Sequence, residues 1–204
     1  MIHQYAVGVA AVCGVVLCAV AATRSGALAF GACLIYSITI CGLFGISALY
    51  HRRVWGPRGY AVMKRLDHSM IFLFIAGTYT PFSLLLLDRP TAIWVLSIVW
   101  GGALLGVALK MAWPRAPRWA SVPLYIALGW TAAFVLPDLW HGGGSAPLVL
   151  LLAGGVLYSA GALCYALKRP NPWPRTFGHH EFFHLATVVA AACHYIGVYF
   201  AVFA

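Results

Sequence analysis

FGHHEFFHLATVVAAACHYIGVYFAVFA, residues 177–204, decides the fold. It opens with His180-Glu181-Phe182-Phe183-His184, the HExxH pattern that places two zinc ligands and a glutamate base on one helix of a soluble metalloprotease. The residues after His184 contain no Lys, Arg, Asp or Glu. A helix of about 20 apolar residues crosses a bilayer, so the motif sits at the mouth of a membrane span.

The rest of the chain has the same character. Of 204 residues, 63% are hydrophobic and 8% are charged, where a soluble domain carries about 25% charge. The acidic residues are Asp67, Asp88, Asp138 and Glu181. No water-soluble surface can be built from this composition. The apolar segments continue to Ala204, so no cleaved leader is expected. Six cysteines (13, 18, 33, 41, 164 and 193) lie within apolar stretches without C-x-x-C spacing and read as small buried hydrophobes. The net charge of +9 comes from short connections between apolar segments, which points to a membrane surface and away from nucleic acid.

Apolar stretches at 5–22, 26–50, 68–87, 91–109, 119–136, 146–167 and 184–203 predict seven transmembrane helices in an all-α integral membrane protein, with residues 1–204 forming one domain. The weakest boundary is between spans one and two, where residues 23–26 alone separate them. Pro123 is expected to kink span five. Gly154, Gly155 and Gly161 in span six, and Gly31, Gly42 and Gly45 in span two, offer surfaces for close helix contact. Segment 52–66 reads as the longest polar connection, lying along the membrane surface.

Charge sets the orientation. The connections after spans two, four and six hold Arg52, Arg53, Arg58, Lys64, Arg65, Lys110, Arg115, Arg118, Lys168, Arg169 and Arg175; the opposite ones hold Arg24 and Arg89. This bias predicts a cytoplasmic N-terminus and an outer C-terminus. Tryptophans 55, 94, 113, 119, 140 and 173 fall near span ends, as interfacial anchors do.

Alternation brings the end of span two (SALYH, 47–51), the start of span three (RLDHS, 65–69) and the start of span seven (HHEFFH, 179–184) to the cytoplasmic face. His180 and His184 are one helical turn apart on one face. With His51 they make a three-histidine set, which zinc accepts while keeping a fourth position open. Asp67 could ligate or could orient the attacking water, and Ser47 could support a ligand or contact a substrate carbonyl. The alternative is that these are amphipathic interfacial groups, with Asp67 paired to Arg65 or Lys64. Several ionisable groups gathered in a membrane bundle favour function. His194 lies about 15 Å deeper along its helix than His184 and reads as a packing histidine. His179 faces elsewhere, and His3 and His141 have no evident partners.

SALYHR (47–52), RLDHSMIFLFIAGTYTPF (65–82), GGVLYSAGALCYALKRPNPWP (154–174) and FGHHEFFHLATVVAAACHYIG (177–197) closely resemble the bacterial hemolysin III family, the prokaryotic branch of the progestin and adipoQ receptor group that includes the adiponectin receptors. The resemblance implies seven helices, a cytoplasmic N-terminus, a multi-pass place in the bacterial cytoplasmic (inner) membrane, and zinc near the cytoplasmic side. It implies ligands at His51, His180 and His184, water held by Asp67, and Ser47 one turn before the first ligand. The residue matching Glu181 is not a fixed glutamate in the family's receptor members, which argues against a protease base. Family members carry an acidic residue, an asparagine and a histidine just before span one; here MIHQYAVG leaves only His3 as a remnant.

Three classes of function follow. The first is a zinc-dependent hydrolase of a lipid amide, the resemblance to receptor members and to alkaline ceramidases implying a ceramide-like substrate and a free fatty acid. The second is a sensor or regulator of membrane lipid state with structural zinc. The third, carried by the family name, is a membrane-permeabilising cytolysin, to which seven resident apolar helices lend little.

Overall fold

The computed structural model describes residues 2–113, 117–173 and 176–204, and the side chains of these except 118–120. Arg115 and Arg175 of the charge bias lie outside the described residues, as do the side chains of Arg118 and Trp119. The helices are α1 (Ile2–Arg24), α2 (Gly26–Arg52), α3 (Pro57–Leu86), α4 (Arg89–Ala112), α5 (Arg118–Gly129), a 3-10 segment (Trp130–Val135), α6 (Leu136–Gly143), α7 (Ser145–Leu167) and α8 (His179–Ala201). Among the described residues, seven segments are long and apolar enough to cross a membrane, the fifth being Ser121–Gly143. Large apolar side chains such as Val9, Val12, Leu28, Ile38 and Leu105 are exposed on the outside of the bundle, as lipid-facing positions are.

Two ties fix which helix ends share a face. The Ser25 hydroxyl, in the turn between α1 and α2, donates to the Val202 carbonyl at 2.5 Å. His3, at the start of α1, meets His184 near the start of α8. The chain therefore begins beside the start of its last helix and ends on the opposite face, as an odd number of spans requires. The close boundary between α1 and α2 is a real break: Gly26 adopts φ +79°, a left-handed conformation that suits glycine.

Segment 52–66 differs from the sequence expectation. Only residues 53–56 are non-helical, and α3 starts at Pro57, a position where proline's missing N–H costs nothing. Its 30 residues reach about 45 Å, longer than the roughly 30 Å hydrocarbon core. That length is enough for the charged first turns, with Arg58, Lys64 and Arg65, to reach beyond the hydrocarbon core. Hydropathy alone hides such an extension because its residues are polar.

Span five also differs. The helix passes through Pro123 and breaks at Gly129, where the Tyr79 hydroxyl enters from α3. It donates to the Gly129 carbonyl at 2.6 Å and accepts the Ala132 N–H at 2.7 Å. A side chain inserted in the helical ladder accounts for the 3-10 segment, and Pro137 near the start of α6 helps set where helix resumes.

Of the expected glycine contacts, Gly161 stands against Ala186 and Gly154 against the His194 ring, so α7 and α8 pack closely there. Gly42 receives the flexible Met70 side chain, and Gly45 makes only ordinary contact with Val7. Gly31 and Gly155 face open space. All six cysteines are unpaired.

Candidate metal centre and its cavity

The last turn of α2 presents His51, and the first two turns of α8 present His180 and His184. One ring nitrogen from each lies within 4.8 Å of the others. His180 Nε2 and His184 Nε2 are 3.1 Å apart. The His51 ring centroid is 5.0 Å from that of His180 and 5.2 Å from that of His184. Two nitrogens bound tetrahedrally to one zinc at about 2.0–2.1 Å are separated by roughly 3.3–3.4 Å. The donor set and spacing fit such an ion with small ring adjustments.

Asp67 stands outside this cluster of ligand atoms but lines the same cavity. Ser47 is buried one turn before His51, and its hydroxyl is within polar interaction range of the Asp67 carboxylate. The neighbouring His68 has Nδ1 at 2.8 Å from the Lys64 carbonyl, to which it donates. The Asp67 carboxylate lies farther from that nitrogen, at 3.7 Å.

Glu181 answers the question raised by HExxH. Its carboxylate accepts the Gly178 N–H at 2.9 Å, closing the first turn of α8. Its other oxygen lies 3.6 Å from His180 Nδ1, on the side away from the His184 contact. Glu181 does not line the cavity. The glutamate is a helix cap, where a carboxylate also suits the positive end of the helix.

His3 is the site residue that sequence reasoning missed. It is buried, and its Nε2 lies 2.8 Å from His184 Nδ1. Its depth was legible, since span one starts at the same face as span seven; nothing local marked its partner. His194 is buried as expected, donating from Nε2 to the Leu151 carbonyl at 3.1 Å. His179 stays outside the cluster, with its ring 6.3 Å from that of Tyr165.

A cavity of about 340 Å³ runs from the histidine cluster into the bundle. Both His180 and His194 line it, so it follows about 20 Å of α8. Its walls are mainly apolar, from Leu43, Ile71, Phe74, Val122, Ile126 and Leu152 among others. Polar side chains gather where the histidines stand, and Thr78, Ser159, Thr187 and His194 line the cavity as well.

The family model for haemolysin-III related proteins matches residues 1–195. Hemolysin-3 of Bacillus cereus is 33% identical over 178 residues, covering 87% of this chain and 77% of that protein. The Hemolysin-3 homolog of Bacillus subtilis is 30% identical over 166 residues, covering 81% and 75%. The heptahelical transmembrane protein ADIPOR2 of rice is 32% identical over 156 residues, covering 69% and 68%. With seven membrane-spanning helices and a match along nearly its whole length, the chain belongs to the haemolysin-III related family and is a multi-pass bacterial membrane protein.

Proposed function

We propose that this protein is a zinc-dependent membrane hydrolase of lipid amides of the ceramide type. The observation that carries the reading is the convergence of three imidazole nitrogens at the end of an apolar cavity, with the Asp67 carboxylate beside but outside them. Zinc held by His51, His180 and His184 would supply Lewis acidity, making water a nucleophile and polarising the amide carbonyl. Asp67 accepts the proton of the attacking water and returns it to the amide nitrogen as the C–N bond breaks. The products are an amine and a free fatty acid. Ser47 holds Asp67 or the substrate carbonyl, and the cavity receives the acyl chain from the surrounding lipid.

A second reading has its own support. His51 belongs to α2 and the other two histidines to α8, so an ion there would staple two helices across the bundle. That arrangement suits a sensor or regulator of membrane lipid state. A cytolytic role is named for the Bacillus relatives, but lipid-facing apolar helices favour a resident protein.

The test is hydrolysis of N-acyl sphingoid lipids in liposomes by purified protein, with zinc measured on the same samples. Release of fatty acid that disappears on chelation and returns with zinc is the expected result. Zinc-loaded protein inactive across a broad panel of lipid amides would favour the regulator.

A further inference from the structure

Lys110 is the last charged residue of α4, and a lysine there ordinarily snorkels to the lipid headgroups. This one turns inward. It is 5% exposed and lines the cavity. Its ammonium donates to the Ser121 hydroxyl and lies 5.9 Å from the centre of the Tyr125 ring.

No acidic residue forms an ion pair with it, although the Asp67 carboxylate lines the same cavity and acts on the Tyr125 hydroxyl through space. All four are among the described residues, and the ion pairs found there are His68–Asp67 and His180–Glu181. Lys64 lines the same cavity and interacts with Lys110 through space, adding positive charge. Close by, the Tyr125 hydroxyl is buried, lines the cavity and has no hydrogen-bond partner among the described residues. A buried ammonium without a counter-ion is costly, and a buried hydroxyl without a partner adds to that cost. An anion received between them satisfies both.

We propose that Lys110, with Ser121 and Tyr125, forms an anion-binding subsite that holds the carboxylate or phosphate head of a single-chain amphiphile whose apolar chain lies in the cavity. The subsite is made by α4 and α5, whereas the histidine cluster is made by α2 and α8. It does not depend on the hydrolase reading: a protein without turnover would still bind such a ligand.

The experiment is calorimetric titration of purified protein in nanodiscs of phosphatidylcholine, before and after stripping metal with a chelator. The probes are dodecanoate, dodecyl phosphate, dodecanol, acetate and inorganic phosphate. The wild type should bind the two anionic amphiphiles at least about tenfold more tightly than dodecanol, the scale of one charge-assisted hydrogen bond. That preference should survive metal stripping. Lys110→Met should lose it while keeping its affinity for dodecanol, which also reports an intact cavity.

Equal wild-type affinity for dodecanol and dodecanoate would overturn the proposal whether or not the variant folds. So would loss of anion preference on stripping metal, which would assign the anion to the histidine cluster. Acetate or phosphate binding as tightly as the amphiphiles would reject the amphiphile in favour of a free anion. A preference unchanged in Lys110→Met would reject the lysine.

Discussion

His3 Nε2 lies 2.8 Å from His184 Nδ1, joining the first turn of the first helix to the second turn of the last. The other nitrogen of His184 faces His180. A metal held by His184 Nε2 would leave the Nδ1 proton directed at His3, which would fix the tautomer and the plane of the ring. His3→Ala should therefore weaken zinc binding by about 10–100-fold, the usual effect of removing a partner that orients a metal-ligating histidine. Competition with a chromophoric chelator measures it. Wild-type affinity in His3→Ala would show that His184 needs no support from α1.

Direct ligands should behave differently from this support. Alanine at His51, His180 or His184 is expected to abolish stable zinc, while His179→Ala keeps it, since His179 lies outside the cluster. Wild-type protein should carry about one zinc per chain, because one three-nitrogen set serves one ion. Lowering the pH should release that zinc as protons compete for the ring nitrogens, and raising it again should restore binding. Elemental analysis after desalting reads all of these. Full zinc retention in His184→Ala would reject the ligand set.

The parts legible in the sequence are those with a local or periodic signature. Seven apolar runs show themselves by composition, and His180 and His184 by a spacing of one turn. His51 and Asp67 came from alternation of spans, which sorts residues by depth without distances. The parts that stayed hidden depend on tertiary closure. His3 gains its partner only because α1 packs beside α8. Helix α5 continues through Pro123, as expected; the break at Gly129 was hidden because Tyr79 makes it from a different helix. Lys110 counted as one more cytoplasmic charge, since charge bias records where a basic residue lies along the chain and not which way its side chain turns.

Orientation follows from the charge bias and can be checked directly. Reporters inserted in the α2–α3 connection at Trp55, or at Asn171, should report cytoplasm. Reporters at Ser25, at Gly144 and after Ala204 should report the outer side. The contacts His3–His184 and Ser25–Val202 already require opposite faces for the two chain ends. A pattern reversed at every site would invert the protein and move the histidine cluster to the outer face.

Tyr79 offers a test of the broken fifth span. Its hydroxyl satisfies one backbone carbonyl and one backbone N–H at Gly129 and Ala132. Tyr79→Phe keeps the ring but leaves both groups unpaired, at a cost of about 1–3 kcal/mol for a buried polar group left unsatisfied. Thermal unfolding in mild detergent should fall by several degrees, and amide exchange at residues 129–135 should rise. If neither changes, the helix re-forms its own ladder and the tyrosine is not what breaks it.

The last prediction separates the two carboxylates nearest the histidines. Asp67 lines the cavity and lies outside the ligand-atom cluster; Glu181 caps α8 through the Gly178 N–H and does not line the cavity. Asp67→Asn keeps the side-chain size and should retain most of the zinc while losing its basicity. Lipid-amide hydrolysis should fall at least about tenfold, toward the 10²–10⁴ loss typical of removing general acid–base help. Glutamine can still accept the Gly178 N–H, so Glu181→Gln should keep the first turn of α8 and most of the turnover. Both variants are assayed in ceramide-containing liposomes at saturating zinc, with zinc content and helical circular dichroism recorded on the same preparations. Unchanged turnover in Asp67→Asn together with loss in Glu181→Gln would transfer the base to the local HExxH glutamate, against its position as a cap.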